Sequence, residues 1–225
     1  MIRLITFDLD NTLWDVGSVI VRAEREMQNW IKTQVPAYVQ VANDKSLSHN
    51  LREKILKENS ATRHDVSLFR LLYLTEIFLE CDIKSSEAKQ FAEEAFSVFI
   101  KWRNKVNFFD GALDTLKHLA SRYELAALTN GNADISRMGL DTYFSFAINA
   151  ADVGASKPAP DMFMAALAKS GASANQTIHV GDNRIDDIEG ANKAGFHTIW
   201  VNLENREKDS VATSTVYDLY SIKSA

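Results

Sequence analysis

Residues 4–13 read Leu4-Ile5-Thr6-Phe7-Asp8-Leu9-Asp10-Asn11-Thr12-Leu13. A short, mostly apolar run opens almost at the first residue and stops at two carboxylates placed two apart. The run is too short for a helix and lacks polar alternation, the pattern of a strand buried on both faces. The end of such a strand is where open α/β sheets bind ligands. On a continuing strand, side chains two apart point the same way. If the chain curls after Asp8, the two carboxylates can flank one reacting group, one attacking while the other manages protons. Taken alone, the pair serves equally as solvated loop carboxylates or a helix cap.

Similar apolar runs recur at 125–128, 146–148, 178–180 and 198–201. Between them lie helical patterns: Leu113, Leu116 and Leu119 after Asp110-Gly111, then residues 162–169 after Pro160-Asp161, then 188–194 closed by Gly195. Strands alternating with helices predict parallel pairing through right-handed crossovers, because no tight turn reaches a parallel neighbour. Residues 1–15 and 104–225 are therefore expected to form an α/β sheet domain. Residues 16–103 break the rhythm and hold no convincing strand. They carry helical patterns at 19–31 and 68–78, and an apolar face through Phe91, Ala95, Val98, Phe99 and Trp102 that reads as bundle core. This predicts an all-helical insertion joined by short hinges near 15–18 and 104–109.

The 225 residues, 46% of them hydrophobic, suffice for a large α/β unit with an insertion. Twenty-five Lys and Arg against 30 Asp and Glu leave a net charge of -5, without the basic excess that nucleic-acid binding requires. Cys81 has no internal disulfide partner, and no charged, then apolar, then small-residue leader opens the chain. No apolar run approaches the roughly 20 residues that span a bilayer. A cytoplasmic protein that binds neither nucleic acid nor membrane is expected.

Three further polar segments stand at the ends of predicted strands. Thr129 is followed by Asn130-Gly131, Lys157 lies in Ser156-Lys157-Pro158-Ala159-Pro160, and Gly181-Asp182 is followed by Asp187 five residues after Asp182. Singly, Thr129 suits a helix cap, Lys157 a solvated charge, and Asp182 or Asp187 a cap. Four polar sites at one edge of one sheet, in fixed order, point instead to a catalytic constellation.

The order Asp-x-Asp-x-Thr, Thr-Asn-Gly, Lys-Pro, then Gly-Asp with a later Asp resembles the haloacid-dehalogenase-like hydrolases over nearly the whole chain. The resemblance implies a Rossmann-like parallel sheet flanked by helices, with the helical insertion as a cap domain. It also implies a Mg2+ cofactor, held by Asp8, the Asp10 carbonyl and Asp182. Two carboxylates, a carbonyl and a substrate phosphate suit the octahedral all-oxygen shell of that ion. Asp8 is then the nucleophile, and Asp10 the acid for the leaving alkoxide and later the base for water. Thr129, Asn130 and Lys157 bind the phosphoryl group, whose transition-state charge spreads over its equatorial oxygens. Asp187 orients Lys157 or a metal-bound water. Asp186 either joins this site or is only a helix-start charge.

Asp10 separates the chain from the carbon–halogen branch of that family, since halide leaves without a proton and phosphate esters need one. No Gly-x-x-x-x-Gly-Lys-Ser/Thr loop supports nucleoside triphosphate hydrolysis. A phosphomutase would use the same aspartyl-phosphate. Glu24-Arg25-Glu26, His64-Asp65-Val66, Lys101-Trp102-Arg103 and residues 129–133 are similar to bacterial phosphatases acting on flavin mononucleotide and on 5-amino-6-(5-phospho-D-ribitylamino)uracil. His64 also reads as an ordinary polar position on a helix. The alternative substrates are phosphoglycolate, a sugar phosphate or a nucleoside monophosphate. A binding module with catalysis lost is opposed by the filled motif. Asn11 stands where many relatives carry Asp, at a position expected to point away from the metal.

Overall fold

The computed structural model describes residues 1–203 and 211–224. The chain divides into two compact units, Met1–Val16 with Val106–Ala225, and Gly17–Lys105. The first is built on six strands: β1 (Leu4–Phe7), β2 (Glu124–Thr129), β3 (Phe146–Asn149), β4 (Thr177–Gly181), β5 (His197–Val201) and β6 (Ser214–Val216). Their order is β3-β2-β1-β4-β5-β6, and every pairing is parallel. All four residues of β1 are buried, as its apolar run demands. The short edge strand β6, Ser-Thr-Val, has no apolar run to announce it. It forms because β5 offers a free edge.

The second unit holds α1 (Val16–Gln34, beginning one residue before the unit), α2 (Tyr38–Ala42), α3 (Lys45–Glu58), α4 (Val66–Glu80) and α5 (Ser85–Arg103). Ala23, Met27 and Ile31 of α1 meet Leu74, Ile77 and Phe78 of α4 in one core. The stripe on α5 is Ala88, Ala92, Ala95 and Phe99, with Phe91 and Trp102 only partly buried beside it. The expected aromatic face is thus turned by part of a helical step. Alanines line the seam where α4 and α5 interlock, and the larger rings fill its margins. Asp65 caps α4 by accepting from Ser67 and Leu68 N–H, which places His64 in the turn before that helix rather than on it. Arg70 pairs with Glu24 and lies 3.7 Å from the Phe99 ring centre. No helix among the described residues is long and apolar enough to cross a membrane.

The sheet is flanked by helices α6 (Ala112–Ala120), α7 (Ala150–Val153), α8 (Asp161–Ser170) and α9 (Gly190–Lys193). Met162, Phe163 and Ala166 of α8 and Ala191 of α9 pack on Leu4, Ala126 and Leu128 of the sheet. In place of a continuous helix over 188–194, a π-helical turn (Arg184–Glu189) precedes α9. Phe7 stands in register with Ala127 of β2 and Val180 of β4. The residues that follow these three strands therefore emerge side by side. Strands β2 and β3 lie to one side of β1 and β4–β6 to the other, so this edge is the point where the winding reverses and a crevice opens.

Candidate active site

Immediately after β1 the chain curls. Asp8 N–H still bonds Val180 O as a strand would (2.8 Å), but Leu13 N–H turns back to Leu9 O (2.9 Å). The curl places Asn11 at φ 62°, a left-handed conformation that Asn tolerates better than most residues. Asn11 is exposed and its Oδ1 accepts from Val16 N–H (3.1 Å). Thr12 is folded inward, with Oγ1 3.2 Å from Asp8 Oδ2 and 3.2 Å from Asp182 Oδ1. Its single hydroxyl proton serves one carboxylate at a time. Asp10 Oδ1 accepts from the indole Nε1–H of buried Trp14 (2.9 Å).

Lys157 is 3% exposed, and each of its three ammonium protons has a destination. Nζ lies 2.8 Å from Asp8 Oδ1, 2.8 Å from Leu128 O and 2.6 Å from Asp187 Oδ1. The loop carrying it is pinned by Asn130, whose Oδ1 accepts from Lys157 N–H (2.8 Å) and whose Nδ2 donates to Lys157 O (3.0 Å). The Asn130 amide, expected to meet substrate, is thus directed at the main chain of Lys157. Thr129, at the end of β2, accepts from Gly131 N–H (3.0 Å) and keeps a hydroxyl proton to donate.

Asp187 is held on both oxygens. Oδ2 accepts from Asn183 N–H (2.9 Å), and Oδ1, besides Lys157, lies 3.2 Å from His179 Nε2. The Asp182 main chain is fixed by Trp200 Nε1–H, which donates to its carbonyl at 2.9 Å. Asp186 is half-buried, with Oδ2 3.4 Å from Asn130 Nδ2.

Asp8, Asp182 and Asp187 bring carboxylate oxygens within 4.8 Å of one another beside the one ammonium of Lys157. Burial pushes the Asp8 carboxyl well above its ordinary range, against the pull of Lys157. Burial, then the charge of Asp187, raises Asp182 to about 6. Asp187, despite its burial, is held well below the usual range by Lys157 and His179. Burial also works against the charge on Lys157, but Asp187 and Asp8 outweigh it and raise the ammonium. Asp187 and Lys157 are therefore the settled ion pair, while Asp8 and Asp182 are short of positive charge. An all-oxygen donor set with that deficit fits a hard divalent cation.

The edge of the sheet thus gathers Asp8, Asp10, Thr129, Lys157, Asp182 and Asp187. Thr6, Thr12, His179, Gly181 and Trp200 also build it; Thr12 and Gly181 stood in the quoted motifs without a role of their own, and Thr6, His179 and Trp200 were not singled out. Thr12 had a signal, lying four residues after Asp8 at the start of a curl. Thr6, His179 and Trp200 read as ordinary strand residues.

Residues 2–195 match the family described as haloacid dehalogenase-like hydrolase. The 5-amino-6-(5-phospho-D-ribitylamino)uracil phosphatase YigB of Escherichia coli (strain K12) is 35% identical over 204 residues, 91% of this chain and 85% of that protein. A phosphoserine phosphatase of Thermus thermophilus is 32% identical over 143 residues, covering 61% of this chain and 57% of its own. A crystal structure described as 2-haloacid dehalogenase from Pseudomonas syringae pv. Tomato DC3000 superposes with a TM-score of 0.93 at 36% identity, covering 99% of this chain and 96% of that one. The chain belongs to the haloacid dehalogenase-like hydrolases.

Proposed function

We propose that this phosphatase hydrolyses flavin mononucleotide or 5-amino-6-(5-phospho-D-ribitylamino)uracil through an aspartyl-phosphate formed on Asp8. The reaction class rests on one observation: a buried carboxylate at the crevice edge, 2.8 Å from a buried ammonium. The substrate class is supported by likeness to YigB across 91% of this chain, a span too long for the sheet unit alone.

Asp8, Asp182 and the Asp10 carbonyl would hold Mg2+, which supplies positive charge for the approach of one anion to another. In the first step an Asp8 carboxylate oxygen bonds to phosphorus and the bond to the ester oxygen breaks. Asp10 delivers a proton to that oxygen. Water then attacks phosphorus, its proton passes to Asp10, and Asp8 is released with inorganic phosphate. Once phosphorylated, the Asp8 carboxylate loses its charge, and the Lys157 proton that it held can turn to a phosphoryl oxygen. Thr129 donates to the same group. Asn130 and Asp187 keep Lys157 in place. A cytoplasmic place of action accords with a chain whose one cysteine, Cys81, is a buried free thiol.

A second reading follows from the 36% identity to a protein described as a 2-haloacid dehalogenase. Asp10 argues against it, because halide needs no acid to leave. The test is a panel of phosphate esters and 2-haloacids with purified enzyme and Mg2+. Flavin mononucleotide or the ribitylamino-uracil phosphate should lead, releasing inorganic phosphate that Asp8→Asn no longer releases. A clear lead for phosphoglycolate or a nucleotide overturns the substrate, and halide release overturns the reaction.

A further inference from the structure

We infer that His179 is a positioning residue for phosphoryl transfer, acting through Asp187 on Lys157; this rests on the assignment of Lys157 to the phosphoryl group. His179 lies inside β4, fully buried, and so cannot touch substrate. Its Nδ1 is 2.8 Å from Thr6 Oγ1 and its Nε2 3.2 Å from Asp187 Oδ1, with the Phe163 ring edge-on at 5.2 Å. A buried titratable ring in the middle of the sheet needs a reason.

Hydrogen-bond chemistry leaves one arrangement. An ionised carboxylate only accepts, so Nε2 carries the proton. In a neutral ring Nδ1 then accepts, and the Thr6 hydroxyl donates to it at 2.8 Å in preference to Ile178 O at 3.3 Å. Neutrality has its own support: burial lowers the ring below its ordinary value, and Lys157 adds to this against the pull of Asp187. Thr6 thus selects the tautomer, and the tautomer gives Asp187 a donor.

That donor matters because Asp187 is gripped from three directions: Lys157 and His179 on Oδ1, Asn183 N–H on Oδ2. Without His179 the carboxylate can turn about Cβ–Cγ, and Lys157 turns with it, away from Asp8 and Leu128 O. Lys157 acts on charge that is greatest in the transition state, so its displacement lowers kcat and leaves KM nearly unchanged. A ring that merely filled space would show no such split.

The experiment uses the Mg2+-saturated full chain and p-nitrophenyl phosphate. His179→Phe keeps a ring and loses both nitrogens, Thr6→Val loses the donor to Nδ1, and His179→Gln keeps an amide N–H near the Nε2 position. His179→Phe and Thr6→Val are expected to lower kcat about tenfold or more, with KM within about twofold. His179→Gln is expected to recover most of that loss. Wild-type kcat in His179→Phe, or no recovery in His179→Gln, overturns the inference. Should the variants fail to fold, nitrogen NMR of the wild-type ring decides: a neutral Nε2–H tautomer around neutral pH supports it, and an Nδ1–H tautomer or an imidazolium overturns it. Lys157→Ala separates the two claims. If that variant stays active, the role of Lys157 fails; if it is inactive while His179→Phe is fully active, only the role of His179 fails.

Discussion

Gly181 and the Asp187 side chain fill adjoining space: a Cβ on Gly181 would lie 2.3 Å from Asp187 Cγ and 2.3 Å from its Oδ2. No real Cβ contact is that short, so any side chain at 181 must move the carboxylate that anchors Lys157. Gly181→Ala is expected to lower kcat about 100-fold, the typical cost of a displacement of about 1 Å in a reacting group. The measurement is steady-state hydrolysis beside circular dichroism of the folded variant. Unchanged kcat would show that Asp187 has room the structure does not give it.

Asp182 makes metal and pH dependence inseparable. In the metal-free protein its folded value of about 6 lies above the ordinary 3.8. The folded state therefore holds the extra proton, and the stability this contributes is complete below the unfolded value and lost as pH rises through about 6. Asp182→Asn removes the ionising group. With chelator present, the variant should melt above wild type at about pH 7.5, and the gap should close as the pH falls towards 4. Saturating Mg2+ should reverse the order, because only wild type keeps both of the proposed carboxylate ligands. Thermal denaturation at the two pH values, with and without the ion, checks each sign.

Trp14 and Asp10 predict a split between leaving groups. Asp10→Asn should slow single-turnover phosphoryl transfer from an alkyl phosphate by about 10²–10⁴. p-Nitrophenyl phosphate should suffer less, since its phenolate leaves without a proton. Trp14→Phe should show a milder loss in the same direction, because it removes the N–H that holds Asp10 Oδ1 at 2.9 Å. Its ring stays able to pack edge-on against Phe108, now 5.8 Å away. Equal losses for both esters in Asp10→Asn would remove Asp10 as the acid.

Lys157 also carries stability. Lys157→Met leaves Asp187 and Asp8 buried without their ammonium, a cost of about 3–5 kcal/mol for breaking a buried pair from one side. Adding Asp187→Asn should restore part of that loss, because the second carboxylate charge goes with the first ammonium. Denaturant midpoints of the single and double variants decide it. A double variant no more stable than Lys157→Met would mean that Asp187 is not the partner that holds the lysine.

How much of this was readable in advance depends on the range of the forces involved. β1 was legible from Leu4–Phe7 because a mostly apolar run without polar alternation has few other homes, and Asp8 followed from the place where that run stops. The π-helical turn at Arg184–Glu189 was not legible. Its backbone answers to Asp187, which lies against Gly181 and bonds Asn183 N–H. On α5, periodicity announced a helix but not its angle, since Ala88 and Ala92 face the core only because α4 comes close.

By itself the sequence determined strands β1 to β5, helices α1, α4, α5, α6 and α8, the sheet edge, and the polar positions Asp8, Asp10, Thr129, Lys157, Asp182 and Asp187, all of which follow from local patterns and their order along the chain. The tertiary structure alone decided what each is bonded to. It turned Asn130 onto the main chain of Lys157, set Thr12 between two carboxylates, and put His179 behind Asp187. The Asn130–Lys157 and Thr12–Asp182 contacts join residues far apart in the chain, and His179 meets Asp187 only because the chain turns back after β4. Hydrogen bonds, unlike apolar runs, leave no period in a sequence.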